Sequence, residues 1–217
     1  MGITVQRTAI IAGGSGLIGR EIVKVLKKAT IETLNLDITN DADIPIFLNR
    51  FILPSAIFRD RTINVWVNTT YPQHWSAHLD SFLYGSLMAA NHMKENSGGV
   101  IINISSIYGL VGSNPSLYQN TSVAMTPIEY SMVKGAIISL TKAIATRYAY
   151  HNVRACWICP GGIYNEQDPE FVRRYCMNVP LQKMVDPKSI AQAVLFLINN
   201  EDMTGTGIVV DGGFTAW

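Results

Sequence analysis

Thr8-Ala9-Ile10-Ile11-Ala12-Gly13-Gly14-Ser15-Gly16-Leu17-Ile18-Gly19 decides how the rest of the chain is read. A short apolar run enters a cluster of glycines, and a helical apolar pattern then continues to about Lys28. Strand, glycine turn and helix form the setting in which a dinucleotide-binding turn works. Glycine lets the backbone bend tightly and come close to a pyrophosphate, which rests against the positive end of the helix. Gly13, Ser15, Gly16, Leu17, Ile18 and Gly19 are the candidate contacts of this turn. A tight turn holding no ligand would carry the same glycines, so the remaining chain has to discriminate.

Outward from that turn, strands and helices alternate. Thr33–Thr39 reads as a strand ending in Asp37-Ile38, followed by a helix over Pro45–Phe51. Ile63–Val67 reads as a buried strand leading to Asn68, and Trp75–Glu95 as a long helix. Val100–Ile104 is a central strand that delivers Ser105 and Ser106 at its carboxyl end. A polar loop over Tyr108–Met125 precedes a helix reaching Tyr150, and Val153–Cys159 is the next strand, ending in Pro160-Gly161-Gly162-Ile163. Asp168-Pro169 and Asp186-Pro187 each open a helix, and Ile208–Val210 is the last strand. The alternation predicts an α/β fold: a Rossmann-type doubly wound parallel sheet with helices on both faces, forming one domain over residues 1–217. Ligands bind such sheets at the carboxyl ends of strands, which draws attention to Ser106.

Glu129-Tyr130-Ser131-Met132-Val133-Lys134 supplies a second candidate group. Tyr130 and Lys134 are four residues apart and share a helix face. Thr126, Pro127 and Glu129 predict a capping box, which puts Tyr130 in the first turn near the positive end of the dipole. A phenol with a pKa of about 10 is a poor base at neutral pH, and lowering it by about three units needs roughly 4 kcal/mol of preference for phenolate. A lysine charge and a helix N-terminus both push that way. Ser106 would hold a substrate oxygen while Tyr130 exchanges a proton with it. An amphipathic helix with a half-exposed Tyr and a surface Lys has the same spacing.

The bulk composition narrows the classes. With 48% hydrophobic and 15% charged residues, the chain can bury a sizeable core. A formal net charge of +1 without a basic run argues against nucleic acid or an anionic membrane as partner. No signal-peptide pattern or membrane-length apolar run is read, so the expected location is cytoplasmic. Cys156, Cys159 and Cys176 make an odd count. Cys156 and Cys159 fall on a strand and point to opposite faces, so they read as buried thiols and not as metal ligands. His74, His78 and His151 read as surface or helix-end groups, and no metal site is expected.

Taken together, the glycine turn, Asn103-Ile104-Ser105-Ser106, Tyr130-x3-Lys134, Pro160-Gly161-Gly162-Ile163 and Val210-Asp211-Gly212-Gly213 resemble the short-chain dehydrogenase/reductases, over nearly the whole chain. The resemblance implies NAD or NADP as cofactor and hydride transfer to or from a hydroxyl/carbonyl substrate. It makes Ser106, Tyr130 and Lys134 the catalytic residues. It gives Asp37, Ile38, Asn68, Tyr130, Lys134, Pro160, Gly161 and Ile163 cofactor contacts besides those of the glycine turn. It also implies a homodimer or homotetramer.

The departures are specific. Gly13, Gly16 and Gly19 have the spacing of the sugar-nucleotide branch, which keeps an epimerase or dehydratase in play. Asn68-Thr69-Thr70-Tyr71 stands where the family reads Asn-Asn-Ala-Gly, and Phe82 stands where a helix Asn often completes a tetrad. These losses also fit a non-catalytic nucleotide-binding or regulatory protein. Asp37-Ile38-Thr39 resembles the end of a third strand, so the chain reads short near residue 30 and again near 72, as part of a longer polypeptide would. The choice between NAD and NADP is then not readable. The long polar loop resembles a surface-sugar and flagellin-modification subgroup, with Asn114, Tyr118, Asn120 and Thr121 as candidate polyol contacts and 165–184 as a candidate lid.

Overall fold

The computed structural model describes residues 7–36, 62–70 and 75–217. Six strands form one sheet: β1 (Thr8–Ala12), β2 (Glu32–Leu36), β3 (Val65–Asn68), β4 (Gly99–Ile104), β5 (Val153–Pro160) and β6 (Gly207–Val210). Their order is β2-β1-β3-β4-β5-β6, and every pairing is parallel. The helices are α1 (Leu17–Lys28), α2 (Trp75–Glu95), α3 (Ile128–Tyr148), α4 (Pro169–Met177) and α5 (Pro187–Asn199).

The alternation within β1 explains why both faces are covered. Ala9 and Ile11 join Ile22 and Leu26 of α1 and Ile190, Val194 and Leu197 of α5 in one core. Ile10 and Ala12 turn the other way, into a second core with Met88, Ala89 and Met93 of α2 and Ile144 of α3. Burial on both sides is what demands the unbroken apolar runs of these strands. Cys156 and Cys159 are buried free thiols. The doubly wound α/β sheet is therefore as expected.

One expectation about the strands changes. The strand at Thr33 does not stand in third place; it pairs directly with β1, Thr8 opposite Glu32 and Ala12 opposite Leu36. A single helical crossover returns the chain beside the strand it left. Asp37, Ile38, the Pro45–Phe51 helix and the Pro72–Gln73 junction lie outside the described residues.

The connection from β1 runs one way across the sheet, to β2, while β3 lies on the other side of β1. This switch opens a crevice at the carboxyl ends of β1 and β3. The register aligns those ends, Ala12 with Asn68 and Asn68 with Asn103.

Candidate active site

A cavity of about 640 Å³ sits at that edge. The start of α1 (Gly16, Leu17, Ile18), Ser106, Tyr130, Lys134 and the turn Pro160–Ile163 all line it. Pieces far apart in sequence are thus brought to one wall.

The glycine turn is shaped by close approaches. Gly13 has φ +83°, and a Cβ there would lie 2.6 Å from Thr69 Oγ1. A Cβ on Gly19 would lie 2.1 Å from the Gly13 carbonyl oxygen, so only glycine lets α1 start against its own turn. Gly13 and Gly19 therefore shape the turn without lining the cavity. Gly16 is the N-cap of α1 and supplies no side-chain cap. The first-turn N–H groups of α1 are left for a ligand, as an anion site requires. Ser15 is exposed and does not line the cavity. The open helix start, beside a cavity of this size, fits a dinucleotide.

Asn68 behaves differently from expectation. Its side chain is fully buried, donating to the Ser81 carbonyl at 3.1 Å and accepting from Thr70 Oγ1 at 2.8 Å. It ties β3 to α2, and Thr69 and Thr70 line the cavity in its place.

Ser105 and Ser106 divide their work. Ser105 Oγ donates to the Lys134 carbonyl at 2.7 Å, pinning α3 to the end of β4. Ser106 opens a 3-10 turn over Ile107–Gly109, and its Oγ accepts from the Tyr108 N–H at 3.2 Å. The capping box at α3 is not formed. Pro127 is the N-cap, without a side-chain bond, and Thr126 hydrogen-bonds the Tyr118 hydroxyl at 2.8 Å instead. The loop has claimed the hydroxyl that would have capped the helix. Tyr130 remains in the first turn, half-buried.

Lys134 is 5% exposed. Its Nζ donates to the Ile104 carbonyl at 3.2 Å and lies 5.6 Å from the centre of the Tyr130 ring. Burial lowers its pKa from 10.5 to about 7. The second neighbour of Nζ is His78 Nε2, at 3.4 Å. His78 is 0% exposed, which corrects its reading as a surface group. Its pKa falls from 6.5 to about 3, first through burial and then through the Lys134 charge. Phe82, one turn further along α2, packs its ring 5.3 Å from Nζ.

The outer wall is built by the polar loop together with 165–184. Leu117, Phe171, Tyr175 and Val179 form a small core, with Tyr118, Val123 and Met184 packed on it. Ser122 donates to Asp168 through N–H and hydroxyl, both at 3.0 Å, and Arg174 binds the carbonyls of Ser116 and Gln119. Of the four predicted polyol contacts only Tyr118 lines the cavity. Asn114 caps its own turn, and the Thr121 hydroxyl donates to the Tyr118 carbonyl. Tyr108, Thr126, Asn165 and Gln167 supply the other polar groups of this wall. The Tyr108 hydroxyl lies 3.2 Å from that of Tyr118, and burial pushes its pKa well above the usual phenol range. Among the described residues no group of three His, Cys, Asp or Glu could hold a metal, and no helix is long and apolar enough to cross a membrane.

A family profile described as enoyl-(acyl carrier protein) reductase matches residues 55–215. The chain belongs to the short-chain dehydrogenase/reductase family. It is an oxidoreductase of that family. Among its relatives is the inactive 2-(S)-hydroxypropyl-CoM dehydrogenase 2 of Xanthobacter autotrophicus, 31% identical over 166 residues, covering 69% of this chain and 67% of the relative. Another is the post-translational flagellin modification protein A of Campylobacter coli, 27% identical over 86% of this chain and 79% of that protein. A short-chain dehydrogenase of Leptospira borgpetersenii, solved with bound NAD+, shares the fold with a TM-score of 0.83 at 24% identity, covering 97% and 93% of the two chains.

Proposed function

We propose that this reductase interconverts a hydroxyl and a carbonyl with NAD or NADP, using Ser106, Tyr130 and Lys134. One observation carries the reading: the open start of α1, Ser106, Tyr130 and Lys134 line one cavity at the switch of the sheet. The nicotinamide, when bound, supplies or accepts the hydride. Ser106 orients the substrate oxygen. Tyr130 gives that oxygen a proton in reduction and takes it back in oxidation. The Lys134 ammonium, over the Tyr130 ring, favours negative charge on the phenol oxygen. Gly16, Leu17 and Ile18 would hold the pyrophosphate and the Pro160–Ile163 turn the nicotinamide side. Cofactor turnover with a carbonyl substrate, lost in Tyr130→Phe while nucleotide binding persists, tests this; full activity in that variant refutes it.

The linked hydroxyls of Tyr108, Tyr118 and Thr126 suit a polyhydroxylated substrate, and the flagellin-modification relative points the same way. A sugar or sugar derivative is the substrate class we favour, tested by comparing sugars with steroid and cyclic alcohols. A cytoplasmic homodimer or homotetramer is the assembly we infer. Exposed Tyr84 on α2 and Met132 on α3 support it, and a monomer by light scattering at micromolar concentration would refute it. The second reading is a non-catalytic nucleotide-binding protein, favoured by Phe82 and by Thr69-Thr70-Tyr71 in place of Asn-Ala-Gly. It predicts nucleotide binding with no turnover on any carbonyl.

A further inference from the structure

α2 presents two rings to the Lys134 ammonium, Phe82 from one turn and His78 from the turn before. The two rings pack on each other, 5.5 Å between centres. An ammonium has three donors and no acceptor. In that state Lys134 must donate to His78 Nε2, which places the ring proton on Nδ1. Two of its donors then go to the Ile104 carbonyl and to His78, which leaves one for the cavity that Lys134 lines together with Tyr130.

We propose that His78 is a positioning residue of this site: from α2 it accepts the Lys134 ammonium, fixing its place beside Tyr130 and helping it stay charged in a buried setting. The inference rests on the role of Lys134 given above. Burial and the neighbouring charge keep the imidazole neutral, so it acts as an acceptor and not as a proton store. Its anchorage is shared with the nucleotide-side wall. Ser81 Oγ donates to the His78 carbonyl at 2.8 Å, and the Thr70 hydroxyl, 2.8 Å from that of Ser81, donates to Asn68. Thr70 lines the same cavity as Lys134. The other titratable groups facing Lys134 are Tyr130 on its own helix and Cys159 on β5, and burial holds the Cys159 thiol neutral with a pKa raised to about 11. His78 is therefore the α2 side chain that can tune this lysine through a hydrogen bond.

The test compares His78→Leu with His78→Gln, whose amide oxygen restores a neutral acceptor at similar reach. Lysine-labelled carbon NMR follows the Lys134 titration, and the pH profile of kcat follows its effect. In His78→Leu the ammonium loses an acceptor, so its midpoint should fall by about one unit or more. The alkaline decline of kcat should move down with it, about tenfold in rate per unit on that limb. His78→Gln should return both toward wild type. An unshifted Lys134 midpoint in His78→Leu, or a Gln variant indistinguishable from Leu, overturns the proposal. If His78→Leu does not fold, His78→Asn replaces it, since its amide is too short to reach; equal midpoints in Asn and Gln variants then overturn it. Absence of turnover in the wild type would sink the proposed reaction, while the Lys134 titration would still decide the role of His78.

Discussion

Burying Lys134 should write itself into the pH dependence of folding. Its pKa is 10.5 in the unfolded chain and about 7 in the fold. Between those values the unfolded state carries a proton that the folded state has released. Stability therefore rises as pH increases from 7 toward 10.5, at about 1.4 kcal/mol per unit. Tyr175, raised to about 12 by burial, acts oppositely above pH 10, because the unfolded phenol then ionises first. Between pH 7 and 9.5 Lys134 should contribute roughly 3 kcal/mol, opposed above about pH 8.5 by Cys156 and Cys159, whose buried thiols are raised so that the unfolded chain ionises first. Urea unfolding of the nucleotide-free protein at fixed concentration measures it, with Lys134→Met as the control. The variant should be the more stable protein at pH 7, and its curve should lack the rise, falling only where the unfolded thiols ionise, so the difference between the two curves isolates Lys134. His78 adds a separate ramp: its pKa falls from 6.5 to about 3, so stability is lost as pH drops through that range. Parallel wild-type and Lys134→Met curves from pH 7 to 9.5 would refute the claim that the fold strains to hold this charge.

Other expectations follow from single contacts. Gly19→Ala would drive a Cβ into the Gly13 carbonyl, so a loss of about 1–3 kcal/mol is expected in thermal or urea melts, with weakened nucleotide binding by fluorescence. Ser105→Ala removes the bond to the Lys134 carbonyl and should cost about 1 kcal/mol in urea melts. Asp168→Ala unties Ser122 and the start of α4 together, so limited proteolysis within 112–126 should speed up and KM for the carbonyl substrate should rise. Ellman's reagent should titrate Cys176 in the native protein and reach Cys156 and Cys159 only after unfolding.

The fold was legible because the evidence for it is local and repeated. Apolar runs such as Ile10-Ile11 and Ile101-Ile102 need cover on both faces, and glycine and proline mark where each element stops. That Ser106, Tyr130 and Lys134 meet at one cavity was legible for a related reason: β4 ends at Ile104 and hands on to Ser106, and a helix must place Tyr130 and Lys134 on one face. Competition for hydrogen bonds was not. Thr126 has the type and position of an N-cap, yet Tyr118, eight residues back, takes its hydroxyl. Asn68 has the place of a ligand contact in the sequence, and nothing there reveals that the Ser81 carbonyl and Thr70 already satisfy its side chain.

His78 shows the deeper limit. Reading along the chain, Phe82 registers as a loss, because a motif compares residues at fixed positions. The site itself asks only for an acceptor near one point in space. On a helix that point can be served from the turn before, since positions 78 and 82 share a face. Periodicity alone placed the two rings together; it could not say which face of α2 meets Lys134. That follows from α2 and α3 packing against the same side of β4, with the Ser105 bond holding α3 at its end. The same chemistry can thus survive a motif's disappearance by moving one turn along the helix. The midpoint of Lys134 in His78→Leu and His78→Gln measures whether it has done so here.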